Sequence, residues 1–234
     1  MTTIDTSFFA SGIPIETAIG ECRFFKVKEY RKVASDLNLM ALTKGHLIDL
    51  LRQENSPEMI SVARTLETLT FYQVVNSIQD VKECYERIFK LAFHKGGYEL
   101  INEGTFYKMR SLILAMNCIK EEKYIPNPEV RRAIERSKRI KAIDGSAPNF
   151  DTIMTTLAMQ SGSFEKVNEY TIYQMYALFY RIAQDKKHFA TLLFRTVDPK
   201  MEQEDWSKNI DLFEEDSHSM SKEKFAKQSG LSGK

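Results

Sequence analysis

The sequence predicts an all-α protein, an irregular multi-helix bundle of about eight helices, and three observations carry that expectation. Only 10 Gly and 6 Pro occur in 234 residues, few for a fold built on tight β-turns. Apolar residues recur at three- and four-residue steps through most of the chain, the repeat of a helix with one buried face. The periodic runs start and stop at Ser, Thr or Asn caps, at Pro, or at a Gly pair.

Residues 1–23 mix Gly, Pro and Thr with short apolar runs and are expected to be irregular, with 19–24 a short extended piece. From Lys26 onward, Val27, Tyr30, Val33 and Leu37 mark a first helix, and Thr43 can cap a second that carries Leu47, Leu50 and Leu51. Ser56-Pro57 then combines an N-cap with proline at the first helical position, where a missing N–H is harmless. The run from there to Gly96-Gly97 spans roughly 40 residues, too long for one helix without internal caps. A break is expected at 68–70 or at 77–80. Phe106, Met109, Leu112, Ile113 and Met116 describe the next helix, which is expected to end at Tyr124-Ile125-Pro126 because a residue before proline avoids the α region. Asn127-Pro128-Glu129 starts another, with a cap, a proline and an acid near the positive end of the helix dipole.

Residues 144–149 gather turn formers. They are the expected junction of two helical subdomains, 1–143 and a C-terminal helical hairpin at 150–197. In the hairpin, one helix runs over 150–160 and a long one follows from Thr171, with Ile172, Met175, Tyr176, Phe179 and Ile182 on one face and Leu192 and Leu193 extending it. An acidic linker and flexible tail, 198–234, complete the chain. Between Asp198 and Asp216 eight acids oppose only Lys200 and Lys208, and 217–234 has too little apolar surface to offset the entropy of ordering, so a disordered C-terminal tail is expected.

Lys and Arg total 33 against 32 Asp and Glu, a formal charge of +1, which excludes a uniformly basic nucleic-acid coat. No apolar run approaches the roughly 20 residues that cross a bilayer, and the first residues lack the basic-then-apolar order of a secretory signal. A cytosolic protein without a membrane partner is expected. Cys22, Cys84 and Cys118 are an odd number with no Cys-x-x-Cys pair, which points to a reducing compartment. Phosphate-loop and dinucleotide glycine patterns are absent, as is a Gly-x-Ser-x-Gly elbow. His46, His94, His188 and His218 are too scattered to suggest a ligand pair. The expectation is therefore no enzyme, no cofactor and no metal.

Two segments stand out as partner surfaces. The run 129–141 carries Arg131, Arg132, Arg136, Lys138, Arg139 and Lys141 against Glu129 and Glu135. Arg132, Arg136 and Arg139 recur at i, i+4 and i+7 on one face, able to hold phosphates or an acidic protein surface, the chain's own acidic segment included. The plainer alternative is a solvated face opposite Val130, Ala133, Ile134 and Ile140. Nucleic acid is the weaker partner, because no ring for base stacking lies on this helix. The second segment is the helix from Thr171, ringed by Tyr170, Tyr173, Tyr176, Phe179 and Tyr180. At 100° per residue Tyr173 leaves the stripe that holds Tyr176, so Tyr173 and Gln174 are expected on an exposed partner surface and Tyr176 in the core.

Thr171-Ile172-Tyr173-Gln174-Met175-Tyr176, then Phe179-Tyr180-Arg181-Ile182, Leu192-Leu193-Phe194-Arg195-Thr196-Val197 and Trp206 downstream, resemble the tail-assembly chaperones of large contractile-tailed bacteriophages and the related baseplate and hub assembly proteins. The helices at 110–117 and 127–137 resemble other parts of the same proteins, and the likeness extends over 24–210. It implies a non-enzymatic role in the host cytoplasm. Such a protein binds the tape-measure protein or a baseplate component, keeps its apolar segments soluble and releases it during tail assembly. The implied partner-binding residues are Tyr173, Gln174 and Trp206, with Arg132, Arg136 and Arg139 as the basic site, and a homo-oligomer is compatible with the role. The rival expectations are a minor tail or baseplate subunit retained in the virion, and a helical nucleic-acid-binding regulator.

Overall fold

The computed structural model describes residues 6–54, 56–94, 97–121, 123–143 and 148–213; the tail at 217–234 lies outside them. The fold is all-α, as expected, but with ten α-helices among the described residues rather than about eight: α1 (Val27–Ala41), α2 (Lys44–Gln53), α3 (Pro57–Thr68), α4 (Phe71–Ser77), α5 (Gln79–Ala92), α6 (Glu103–Met116), α7 (Pro128–Ile143), α8 (Phe150–Ser161), α9 (Phe164–Glu169) and α10 (Ile172–Arg195). The N-terminal stretch expected to be irregular contains a small antiparallel hairpin, β1 (Ile15–Thr17) with β2 (Gly20–Cys22), whose register pairs Ile15 with Cys22.

Local chemistry explains the extra helices. The long periodic run breaks at both candidate places. Thr70 closes a capping box with Gln73, each side chain accepting the other's backbone N–H, while Ile78 sits at φ −105°, ψ 108°, outside the α region. After α8, Gly162 takes a left-handed φ of 76°, and the Ser163 hydroxyl accepts from the N–H groups of Glu165 and Lys166 to start α9. The end of α6 differs from expectation by several residues. It stops at Met116, well before Pro126, because Cys118 adopts φ 55° and closes a Schellman turn. The Ile119 N–H donates to the Leu114 carbonyl and the Cys118 N–H to that of Ala115.

The helices enclose two cores that share α1. The larger is built from α1 to α6, β2 and Phe9, with Leu37, Met40, Val74, Ile88, Phe89 and Phe106 inaccessible to solvent. The smaller gathers Ile153 and Leu157 of α8, Val167 of α9, and Ile172 and Met175 of α10 around Val27 at the start of α1. Tyr30 packs against both, stacked on Phe150 with centroids 5.4 Å apart. Backbone bonds reinforce the junction, the Val27 N–H donating to the Tyr170 carbonyl and the Ile172 N–H to that of Phe25. The start of α10 is thereby fixed to the entrance of α1.

An ion cluster closes the same junction, with Lys26 Nζ 2.6 Å from a Glu169 carboxylate oxygen and Lys28 on the other oxygen. Hydrogen bonds from these two ammonium groups hold the Glu169 carboxyl well below its ordinary value of 4.5, at about 2. A carboxyl with a depressed folded pKa stabilises fully above its unfolded value and loses that contribution as pH falls through the folded one. The junction is therefore expected to weaken between pH 4.5 and about 2. In Glu169→Gln the melting temperature should change less over that window than in wild type, and the difference should shrink at high salt because the pair is exposed. Identical acid profiles for the two proteins would remove this role from Glu169.

A candidate peptide-binding cleft between the two cores

A cleft of about 1580 Å³ separates α6 from the first turns of α10. One wall is the Tyr107, Ser111, Leu114 and Ala115 face of α6, and the other is Tyr173, Gln174, Ala177, Leu178 and Arg181 of α10. Residues 209–213 lie against it from the C-terminal side. The walls come from helices of different cores, α6 in the larger and α10 mainly in the smaller, with Tyr173 of α10 packed on the larger.

Tyr173 and Gln174 both reach the cleft, but they are not the freely exposed pair expected of them. Tyr173 is half-buried, edge-on to Phe9 at 5.3 Å and stacked on Phe213 at 6.4 Å, and burial, reinforced by Cys118 and Asp211, raises its pKa. Gln174 spends its amide on structure. Its Oε1 accepts the Thr171 N–H and its Nε2 donates to the Ala10 carbonyl at 2.9 Å, which ties the N-terminal segment to α10. Gly12 takes φ 68°, a conformation that residues with a side chain rarely adopt, and a Cβ there would stand 3.0 Å from Gln174 Nε2, so the amide would have to shift by a few tenths of an ångström. Tyr176, expected in the core, is also only half-buried, packed on the edge of the smaller core.

Beyond the cleft, the acidic segment runs antiparallel to α10. Arg181 Nη1 donates to the carbonyls of Trp206 at 2.6 Å and Lys208 at 3.1 Å. Gln184 Nε2 donates to that of Asp205 at 2.5 Å, and His188 Nδ1 contacts that of Glu204. The Glu204 N–H donates to Thr191 Oγ1, and Lys187 pairs with the Glu204 carboxylate. Arg181, Gln184, His188 and Thr191 share one helix face by their spacing, and they bind mostly main-chain atoms. The Trp206 indole is 57% exposed, so its place in this array comes from its carbonyl.

The basic helix α7 therefore does not receive the described part of the acidic segment, which binds α10 instead. Arg132, Arg136 and Arg139 are exposed on α7. Their neighbour Arg131 anchors the helix, with Nη2 2.6 Å from Asp49 and the guanidinium over the Tyr124 ring at 5.5 Å. Val130, Ile134 and Ile140, expected to face the body, are exposed too. The charged residue that sequence reasoning missed is Arg110, fully buried on α6. It is invisible to periodicity because a single Arg in a helical run reads as a surface position. Among the described residues no group of three or more His, Cys, Asp or Glu side chains is placed to hold a metal ion, and no helix is long and apolar enough to cross a membrane.

Two family models match the chain, the YomV N-terminal domain over residues 4–126 and the YomV second domain over 138–211. The chain belongs to the YomV family. It is 32% identical over 217 residues to the SPbeta prophage-derived uncharacterized protein YomV of Bacillus subtilis (strain 168), covering 92% of each chain, so the YomV family includes a phage-related protein of nearly the same extent. No solved structure matches the chain. The boundary between the two YomV domain models falls at α7, and the cleft is formed between parts of the two.

Proposed function

We propose that this YomV-family protein is a phage assembly chaperone. It captures an extended segment of a tail protein, such as the tape-measure protein or a baseplate component, in the cleft between α6 and α10. The observation that supports this reading is the way α10 already holds a separate stretch of chain, through Arg181, Gln184 and His188 on the carbonyls of 204, 205, 206 and 208. Side chains that bind main-chain carbonyls accept many sequences, as a chaperone must, and the apolar wall of the cleft supplies area for a client's apolar groups. Farther along α10, Phe189, Leu193 and Phe194 are exposed and lengthen the surface that a client could cover.

The test is co-expression with the tape-measure protein of the same phage. Leu178 lines the cleft and is 40% exposed, so Leu178→Asp is expected to change the protein's own stability by about 1 kcal/mol or less while lowering the soluble fraction of the client. Full client solubility with folded Leu178→Asp would exclude the cleft as the client site. A second reading rests on Arg132, Arg136 and Arg139, whose exposure leaves them open to an acidic partner or nucleic acid. Tight binding of random duplex DNA with a steep salt dependence would favour the regulator.

A further inference from the structure

We infer that residues 203–213 are a built-in stand-in for the client. On this inference the face of α10 from Tyr173 at the cleft to Thr191 beyond it takes acidic segments that end in an aromatic ring, and the chain's own strap must leave before such a segment binds. This rests on the client-capture reading of the cleft and names the chemistry of the segment captured.

Three observations point the same way. The strap is bound as a peptide ligand is bound, its carbonyls at 204, 205, 206 and 208 each contacted by a side chain of α10, with a tight turn in which the Lys208 N–H donates to the Asp205 carbonyl and the Asp205 carboxylate accepts from Ser207. Its side-chain contacts are few and selective. Glu204 pairs with Lys187, Gln203 Oε1 accepts from Arg195 at 2.8 Å, and Phe213 stacks on Tyr173, while the Asp211 carboxylate accepts from the strap's own Phe213 N–H. An acid at one end and a ring at the other therefore define the occupant. The strap is also shallow: no residue from 201 to 213 is buried, and Phe213 alone of them packs on the edge of the larger core, so its release uncovers little apolar surface beyond that ring. A segment attached to the same chain competes at a local concentration in the millimolar range, so a weakly held strap still blocks a dilute competitor and yields to one that makes more contacts.

The probe is a fluorescent synthetic peptide with the sequence of residues 203–213, added to the full-length chain. Wild type should bind it weakly, since the strap occupies the site. Phe213→Ala in the chain, which removes the strap's ring but leaves Phe in the peptide, should raise the affinity about tenfold or more. Adding Tyr173→Ala to that variant should cancel the gain, and a scrambled peptide of the same composition should bind neither protein. Equal peptide affinity in wild type and Phe213→Ala, or a gain that survives loss of Tyr173, would overturn the inference. The co-expression assay reports separately on client capture. If the peptide fails while wild type keeps the client soluble, the strap is only structural and the chaperone reading stands; if the peptide behaves as expected while no tail protein is kept soluble, the cleft is a regulated peptide site with a different client.

Discussion

Replacing Arg110 with Met is expected to cost about 3 kcal/mol of stability, although methionine nearly fills the same volume. Arg110 is inaccessible to solvent, and its guanidinium is the main donor to groups otherwise served, among the described residues, only by a long bond from the Tyr85 hydroxyl to the Met40 carbonyl at 3.5 Å. Nε reaches the Met40 carbonyl at 3.0 Å and the Tyr85 hydroxyl at 3.1 Å, and Nη2 reaches the Leu42 carbonyl at 3.1 Å. Met40 and Leu42 belong to the C-terminal end of α1, where helix carbonyls lack intrahelical partners, so Arg110 acts as a cap delivered from α6. Each buried carbonyl left alone costs roughly 1–3 kcal/mol. Relief of the guanidinium's own desolvation returns part of that, and Glu121, its ion-pair partner at 2.8 Å, is exposed enough to hydrate when released. The check is urea unfolding, where the midpoint should fall with an unchanged slope. A loss below about 1 kcal/mol would mean that water or a rotated Tyr85 takes over the two carbonyls.

Ile172→Ala is expected to have an effect of similar size but different reach. Ile172 is completely buried in the smaller core, and truncating it removes about 3 kcal/mol in a typical site. The smaller core has few buried residues to relax into the gap, and Ile172 also carries the backbone bond to Phe25 that holds α10 against α1. The loss should therefore concentrate in α8, α9 and α10. In native-state hydrogen exchange, amide protection there should drop by roughly 100-fold while the amides of α5 and α6 keep theirs. Because α10 is one wall of the cleft, client capture should decline in step with this local opening. A uniform loss of protection across the chain would show that the two cores unfold as one unit.

Much of the cleft's frame is written in short stretches of sequence. The caps at Ser56 and Asn127 are local and legible as such, Ser56 accepting from Met59 and Asn127 from Glu129, whereas Thr171, read only as the start of the long helix, also caps it by accepting from Gln174. What escaped was the end of α6, because Cys118 is not a residue that announces a left-handed turn, and the hairpin at 15–22, which is held by a bridge from Cys22 to Phe93. Gln174 was legible as a site residue but for a different reason. Its helical spacing placed it off the core stripe, and only the arrival of Ala10, distant in the chain, turned it inward.

The sequence by itself determined the helical class, most helix starts and the two charged segments, because periodicity and capping act over three or four residues and need no distant partner. The tertiary structure alone decided what those faces meet. It set Arg110 under the end of α1, divided the apolar residues into two cores with a cleft between them, and laid the acidic strap on α10 instead of on α7. Electrostatic attraction would have served either helix. Arg181, Gln184 and His188 on one face of α10 offer donors to the strap's main chain, and Tyr173 offers a ring to Phe213, a combination of directional bonds and contact area that depends on three-dimensional placement and leaves no mark in charge or composition.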